Sequence, residues 1–319
     1  MLLFEHSAEI NRLVALVDSA GPSDAGLHTL VTLAWYLRQQ DNARACALVD
    51  QARGLLAAQS TLPEHTQQQL LARLHLVQAE PHWLLSEFEP AKAAADSAIT
   101  AFTACSDSIG CADAHGILAS VHAATGNLLL RDQSLATAAE CASSAGDSLR
   151  LDYFEANRAR YAVLRNVRQS HLVWGNRFPD DLSGMHPGVA ASVHTYFATR
   201  DYSSGNFAQA IVQFDRAFAA ASQTGQLLVS VVAAINAGNT YEALNDHDAA
   251  LACLQRGLDL ARTTGWAITL GPCLHQMAEI MGAMGRLDAA QAMLDEATQV
   301  YAPLRHSRNY GSVLSAVGD

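Results

Sequence analysis

Thirteen histidines in a chain of 319 residues carrying a formal charge of −11 are the first residues to test for chemistry. His75 and His82 stand seven apart, as do His115 and His122, and Cys111 precedes His115 by four residues. On a helix, Cys111, His115 and His122 share one face, because offsets of four and eleven are close to whole turns. A thiolate and two imidazoles on one face form a set that zinc accepts. The usual catalytic motifs are missing: there is no HExxH, GxSxG, GxxxxGK[ST] or GxGxxG. No nucleophile and base can be paired from the sequence. The six cysteines, at 46, 105, 111, 141, 253 and 273, form neither CxxC pairs nor a regular framework, which reads as free thiols in a reducing, cytoplasmic compartment.

The elements that must hold these residues are helices. The chain has 59 Ala against 8 Pro, and Ala is the best helix former. Half of the residues are apolar and 16% are charged, enough to bury a large core and to exclude a disordered chain. Lys92 is the single lysine beside 19 Arg. The negative balance argues against nucleic acid or an anionic membrane as partner. No run of eighteen apolar residues is present, so nothing here spans a membrane as a helix. The opening MLLFEHSAEINRLVALVDSA carries Glu5, His6 and Glu9 where a signal peptide needs a basic end and an apolar run.

A period of 40 residues organises the chain. Gly205-Asn206-Phe207, Asn245-Asp246-His247 and Gly285-Arg286-Leu287 align at that shift, which makes Ala210, Ala250 and Ala290 equivalent, and likewise Phe214, Leu254 and Leu294. Earlier copies run through Trp35-Tyr36 to Ala52, through Phe88-Glu89-Pro90-Ala91 to Ala98, and through Gly126-Asn127-Leu128 to Ala138. Each copy reads as an apolar helix of period 3.6, a short turn and a second helix. Small residues such as Ala237, Gly238, Ala250 and Gly257 mark where two helices approach, with Tyr241 and Leu254 as the bulk between them. The fourth copy is degenerate: Trp174 takes the place of Leu254, and Gly175, Pro179, Gly184 and Pro187 then stop the helix.

This pattern resembles the tetratricopeptide repeat, in its longer-helix variety, since the usual unit is about 34 residues. The resemblance covers nearly the whole chain and is strongest over 190–302. It implies an all-α solenoid of about seven helix-turn-helix repeats in a right-handed superhelix. The expected divisions are an N-terminal capping helix in 1–25, repeats one to four in 26–174, an interrupting loop in 175–188, repeats five to seven in 189–304, and the first helix of a truncated eighth repeat in 305–319. The last of these suggests a piece cut from a longer protein. The register also undercuts zinc: His75, His115 and His194 fall on the place of Ala234, and His82 and His122 on that of Tyr241, where the family packs aromatics. No metal and no cofactor are therefore expected.

Such arrays offer a groove lined by the first helix of each repeat. With Gly238 and Tyr241 facing the second helix, the groove side carries Asn239 and Glu242, preceded by Thr195, Thr199 and Tyr202 and followed by His275 and Glu279. The degenerate copy adds Asp152 and Glu155, and the second copy Arg73 and Trp83. Asn236 and Asn239 are the sharpest pair, because an amide donates to and accepts from a peptide backbone at once. The expected partner is a protein or peptide, or a small-molecule signal. Phrases at 33–52, 244–266 and 285–310 resemble the N-terminal sensory repeats of bacterial diguanylate cyclases with a GGDEF domain. That resemblance implies a non-catalytic regulatory module of a protein that makes cyclic di-GMP and works as a homodimer. The alternatives are the effector-binding region of a transcription regulator and a free-standing assembly scaffold.

Overall fold

The computed structural model describes residues 1–19, 23–59 and 61–302, and among these fifteen α-helices and no strand are found. The expected eighth copy at 305–319 lies outside the described residues. A leading helix, α1 (Ser7–Ser19), precedes seven helix pairs. They are α2 (Asp24–Leu37) with α3 (Asn42–Gln59), α4 (Glu64–Leu84) with α5 (Phe88–Ala104), and α6 (Ser108–Ala124) with α7 (Leu128–Ser144). The degenerate pair is α8 (Ser148–Arg165) with the eight-residue α9 (Val167–Trp174). Then come α10 (Pro187–Ser203) with α11 (Phe207–Gln223), α12 (Leu227–Ala243) with α13 (His247–Thr264), and α14 (Ala267–Ala283) with α15 (Leu287–Tyr301).

The turns explain the period. Within pairs, Ser86, Gly126, Gly205, Asn245 and Gly285 all sit at positive φ, between 58° and 79°. Between pairs, Ser106, Gly146, Gly225 and Gly265 do the same. In the α4–α5 turn Glu87 N–H donates to His82 O at 2.7 Å and Ser86 N–H to Trp83 O at 2.9 Å, which is the Schellman arrangement that satisfies a helix's last carbonyls. The α10–α11, α12–α13 and α14–α15 turns repeat it. Asp107, Asp147 and Asp246 stand one residue past such a left-handed position, and each carboxylate accepts an N–H of the next helix. One turn thus ends a helix and caps its successor.

Contacts divide the chain into two units, Met1–Glu155 with Gln223–Gly225, and Ala156–Ser222 with the chain from Gln226 onward. In the first, the pair helices pack on each other, and the first helices line up as α2 on α4 and α4 on α6, with α1 against α2. In the second, α10, α12 and α14 line up in the same way. Residues equivalent in sequence are equivalent in burial: Ala210, Ala250 and Ala290 are buried, as are Phe214, Leu254 and Leu294. A Cβ on Gly238 would lie 2.8 Å from Leu254 Cγ, so this glycine faces the second helix of its pair, as the register requires. After α9, residues 175–186 run as turns and bends, and Phe178 and Leu182 are buried there, with the Phe178 ring tilted against that of Tyr196 at 6.0 Å between centres. Among the described residues no helix is long and apolar enough to cross a membrane.

Candidate functional site

The face formed by α10, α12 and α14 carries most of the expected groove residues. Asn239 is half-buried, and its Oδ1 is buried without a hydrogen-bond partner. Glu242, one turn on, accepts from Gln276 Nε2 at 3.1 Å, which ties α12 to α14. His275 is half-buried; its Nε2 stands 3.8 Å from the exposed Glu279 carboxylate, too far for a hydrogen bond, and is itself without a partner. Asn236 is half-buried, and its carbonyl takes the Thr240 hydroxyl at 2.6 Å. Asn239 Oδ1 on α12 and His275 Nε2 on the neighbouring α14 are thus buried atoms without a hydrogen-bond partner, and each helix also carries an acidic side chain, Glu242 and Glu279. On α10, Thr195 and Thr199 donate their hydroxyls back to Ala191 O and Thr195 O, so both are committed to their own helix. Thr195 is also buried, which corrects its expected place on the open side. Tyr202 is exposed and packs its ring on Phe207 at 5.3 Å.

In the first unit the expectation needs a larger correction. Arg73 and Trp83 are 6% and 7% exposed, closed in among helices rather than lining an open groove. Arg73 donates to Asp113 at 2.6 Å, and its guanidinium lies 4.6 Å over Trp35 and 5.0 Å from the Phe102 ring centre. Asp113 also accepts from Arg150 at 2.8 and 3.0 Å, and Arg150 in turn donates to Asp147 at 2.6 Å. Burial alone would raise the Asp113 carboxyl, but Arg150 and Arg73 outweigh it and hold its pKa below the ordinary value. Burial pushes Glu80 up, against the pull of Arg38 at 3.6 Å and of Gln39, which donates at 2.5 Å. Asp152 and Glu155 are half-buried on α8.

The histidine faces do not assemble. Among the described residues no three His, Cys, Asp or Glu groups stand together as a metal site. His122 is buried and His75 and His115 are half-buried, as packing imidazoles would be. His82 departs from that pattern: its side chain is partly open and its Nδ1 lies 2.5 Å from Glu87.

Arg38 and Arg150, which are not among the residues expected from the sequence, turn donors onto the backbone of the first residues of the chain. One signal was available. Arg73 and Asp113 are one 40-residue period apart with opposite charge, and a period in sequence is one repeat in space. Arg256 and Asp215, 41 apart, pair at 2.7 Å by the same rule. No local pattern marks Arg38 or Arg150 as binding groups.

The tetratricopeptide-repeat family model matches residues 191–263. No curated protein matches the chain. Among solved structures, a Rap protein complexed with competence and sporulation factor is similar at TM-score 0.54 and 12% identity, covering 98% of this chain and 96% of that one. The apo form of RapI gives 0.55 and 11%, covering 88% and 99%. The apo quorum sensor NprR from B. thuringiensis gives 0.51 and 10%, covering 97% of each chain. At such identities the likeness is one of fold. Helix pairs joined by Schellman turns at a 40-residue period, with residues 191–263 matched by the family's own model, give this chain the fold of a tetratricopeptide-repeat array.

Proposed function

We propose that the chain is a non-catalytic binding module of a signalling protein and takes a peptide or protein segment along α10, α12 and α14. The observation that carries this reading is the buried, unpartnered Oδ1 of Asn239, one turn before Glu242 on α12, which packs on the helix that carries His275. A buried amide oxygen without a donor costs about 1–3 kcal/mol, a cost that a ligand N–H would remove. Glu242 and Glu279 favour a peptide with a basic side chain nearby. The similar Rap structure holds competence and sporulation factor, which supports a peptide over a small metabolite.

The test is native mass spectrometry of the purified chain under mild and denaturing conditions, followed by titration of any recovered ligand against Asn239→Ala. Binding should weaken by about ten-fold, the equivalent of ~1.4 kcal/mol, with the melting temperature held or raised, since the unsatisfied oxygen is gone. A fall in melting temperature of several degrees would instead make Asn239 a structural residue and sink the assignment.

For the wider setting we favour the homodimeric regulatory region of a diguanylate cyclase, on the strength of the phrases at 33–52, 244–266 and 285–310. The gene downstream of Asp319 tests it. A GGDEF-coding stretch supports the cyclase, a helix-turn-helix moves the module to a transcription regulator, and a stop codon makes it a free-standing scaffold.

A further inference from the structure

The first five residues of the chain form no helix, and Leu3 and Phe4 are only 4% and 5% exposed, while Met1 and Leu2 are 48% and 42% exposed. Side chains, rather than helix or sheet partners, receive the backbone of this segment. Arg150 Nη2 donates to Met1 O at 3.3 Å, Trp35 Nε1 to Leu2 O at 3.0 Å, and Arg38 Nη2 to Leu3 O at 3.1 Å. In the other direction, Leu2 N–H donates to Tyr36 Oη at 3.1 Å. The Phe4 ring meets Tyr153 edge-on at 5.3 Å, with the Arg38 guanidinium 5.5 Å from its centre. Backbone groups read by fixed side chains, with an adjacent aliphatic–aromatic pair buried beside them, are the means by which a surface holds a peptide.

The readers are held in place without the segment's help. Arg38 donates to Trp35 O at 2.6 Å, stacks 3.7 Å over the Trp35 ring, and faces Glu80. Arg150 is fixed by Asp113 and Asp147. Three guanidiniums (Arg38, Arg73, Arg150) stand against three carboxyls (Glu80, Asp113, Asp147), so the face balances its own charge and asks only for neutral carbonyl dipoles. Its four contributing helices, α2, α4, α6 and α8, all lie in the first unit as far as Glu155.

We propose that the face built by Trp35, Tyr36, Arg38, Arg150 and Tyr153 is a binding site for a short, bent peptide segment bearing an aliphatic–aromatic pair, and that Leu2–Phe4 occupies it in cis until such a peptide displaces it. Because Leu2 N–H is donated, proline is excluded at that position. The two exposed positions before the pair accept any other residue. This site is separate from the α10–α12–α14 face and does not rest on the function proposed for that face.

The test uses the full chain carrying Leu3→Ser and Phe4→Ser, titrated with a fluorescein-labelled Leu-Leu-Phe-Glu-His peptide and followed by anisotropy. The double variant should bind saturably and at least ten-fold more tightly than the wild type, and a scrambled peptide should bind at least ten-fold more weakly. Adding Trp35→Phe, which keeps the ring contact and removes the donor, should weaken binding by about ten-fold. Adding Asn239→Ala should leave it within two-fold. A folded double variant that shows no saturable binding overturns the proposal, as does indifference to Trp35→Phe. Should the double variant fail to fold, the wild-type chain decides by hydrogen exchange with ~10 mM unlabelled peptide, above the millimolar effective concentration of a short tether. Faster exchange at Leu2–Glu5 supports displacement, and unchanged exchange overturns it.

Discussion

Replacing Asp113 by alanine is expected to destabilise the first unit by about 3–5 kcal/mol, the penalty for leaving a buried charge without its partner. Asp113 is 3% exposed and serves both Arg73 and Arg150. Arg150 keeps Asp147 at 2.6 Å, so the larger share of the cost falls on Arg73, whose neighbouring Trp35 and Phe102 rings are already in place and add nothing new. For a unit of this size each kcal/mol moves the melting temperature by about 2–4 °C, which gives a fall of about 6–20 °C. Circular dichroism melts of the wild type, Asp113→Ala, Arg73→Met and the double variant measure it. Removing both partners should cost less than the sum of the single losses by ~1–3 kcal/mol, because the stranded charge is gone. A fall under ~2 °C for Asp113→Ala, or a double variant that is simply additive, would refute Arg73, Asp113 and Arg150 as a buried electrostatic unit.

Two further outcomes follow from close packing and from burial. A Cβ on Gly271 would lie 2.2 Å from Tyr301 Cζ, and Tyr301 is 2% exposed, so Gly271→Ala should cost about 1–3 kcal/mol. A Cβ on Gly282 meets nothing within 4 Å, and Gly282→Ala should gain up to ~1 kcal/mol of helix propensity; equal melting of the two variants would contradict the packing. Burial lowers the pKa values of His75, His115 and His194, so the folded chain binds fewer protons than the unfolded one below the ordinary histidine pKa of about 6.5. Stability should therefore fall as pH drops from 7 to 5, and His115→Asn should flatten that dependence; a melting temperature that rises on acidification would show the sign to be wrong.

Much of the fold was legible because its causes are local. A helix shows in the spacing of apolar residues, and a Schellman turn needs a residue that accepts positive φ, so Gly205, Asn245 and Gly285 recur at the same step as the helices they join. Small residues at Ala210, Ala250 and Ala290 recur because each second helix must approach its partner closely. The groove face was legible only in outline. Register puts Asn239 and Glu242 on one side of α12, but whether a hydroxyl such as that of Thr195 turns outward or back onto its own helix depends on packing.

What the sequence by itself determined is the repeat: its length, its turns, the recurring buried positions of the second helices and the absence of a local catalytic motif. Only the tertiary structure decided that Arg73 and Trp83 are closed in, that Arg38 and Arg150 are donors, and that Leu3 and Phe4 are buried against residues up to 149 positions away. The physical reason is the range of the interactions. Helix and turn preferences act over three to six residues and leave a periodic trace. A neutral backbone held by side chains from separate helices has no sequence period, because each donor is fixed by a different neighbour and only stacking brings them to one place.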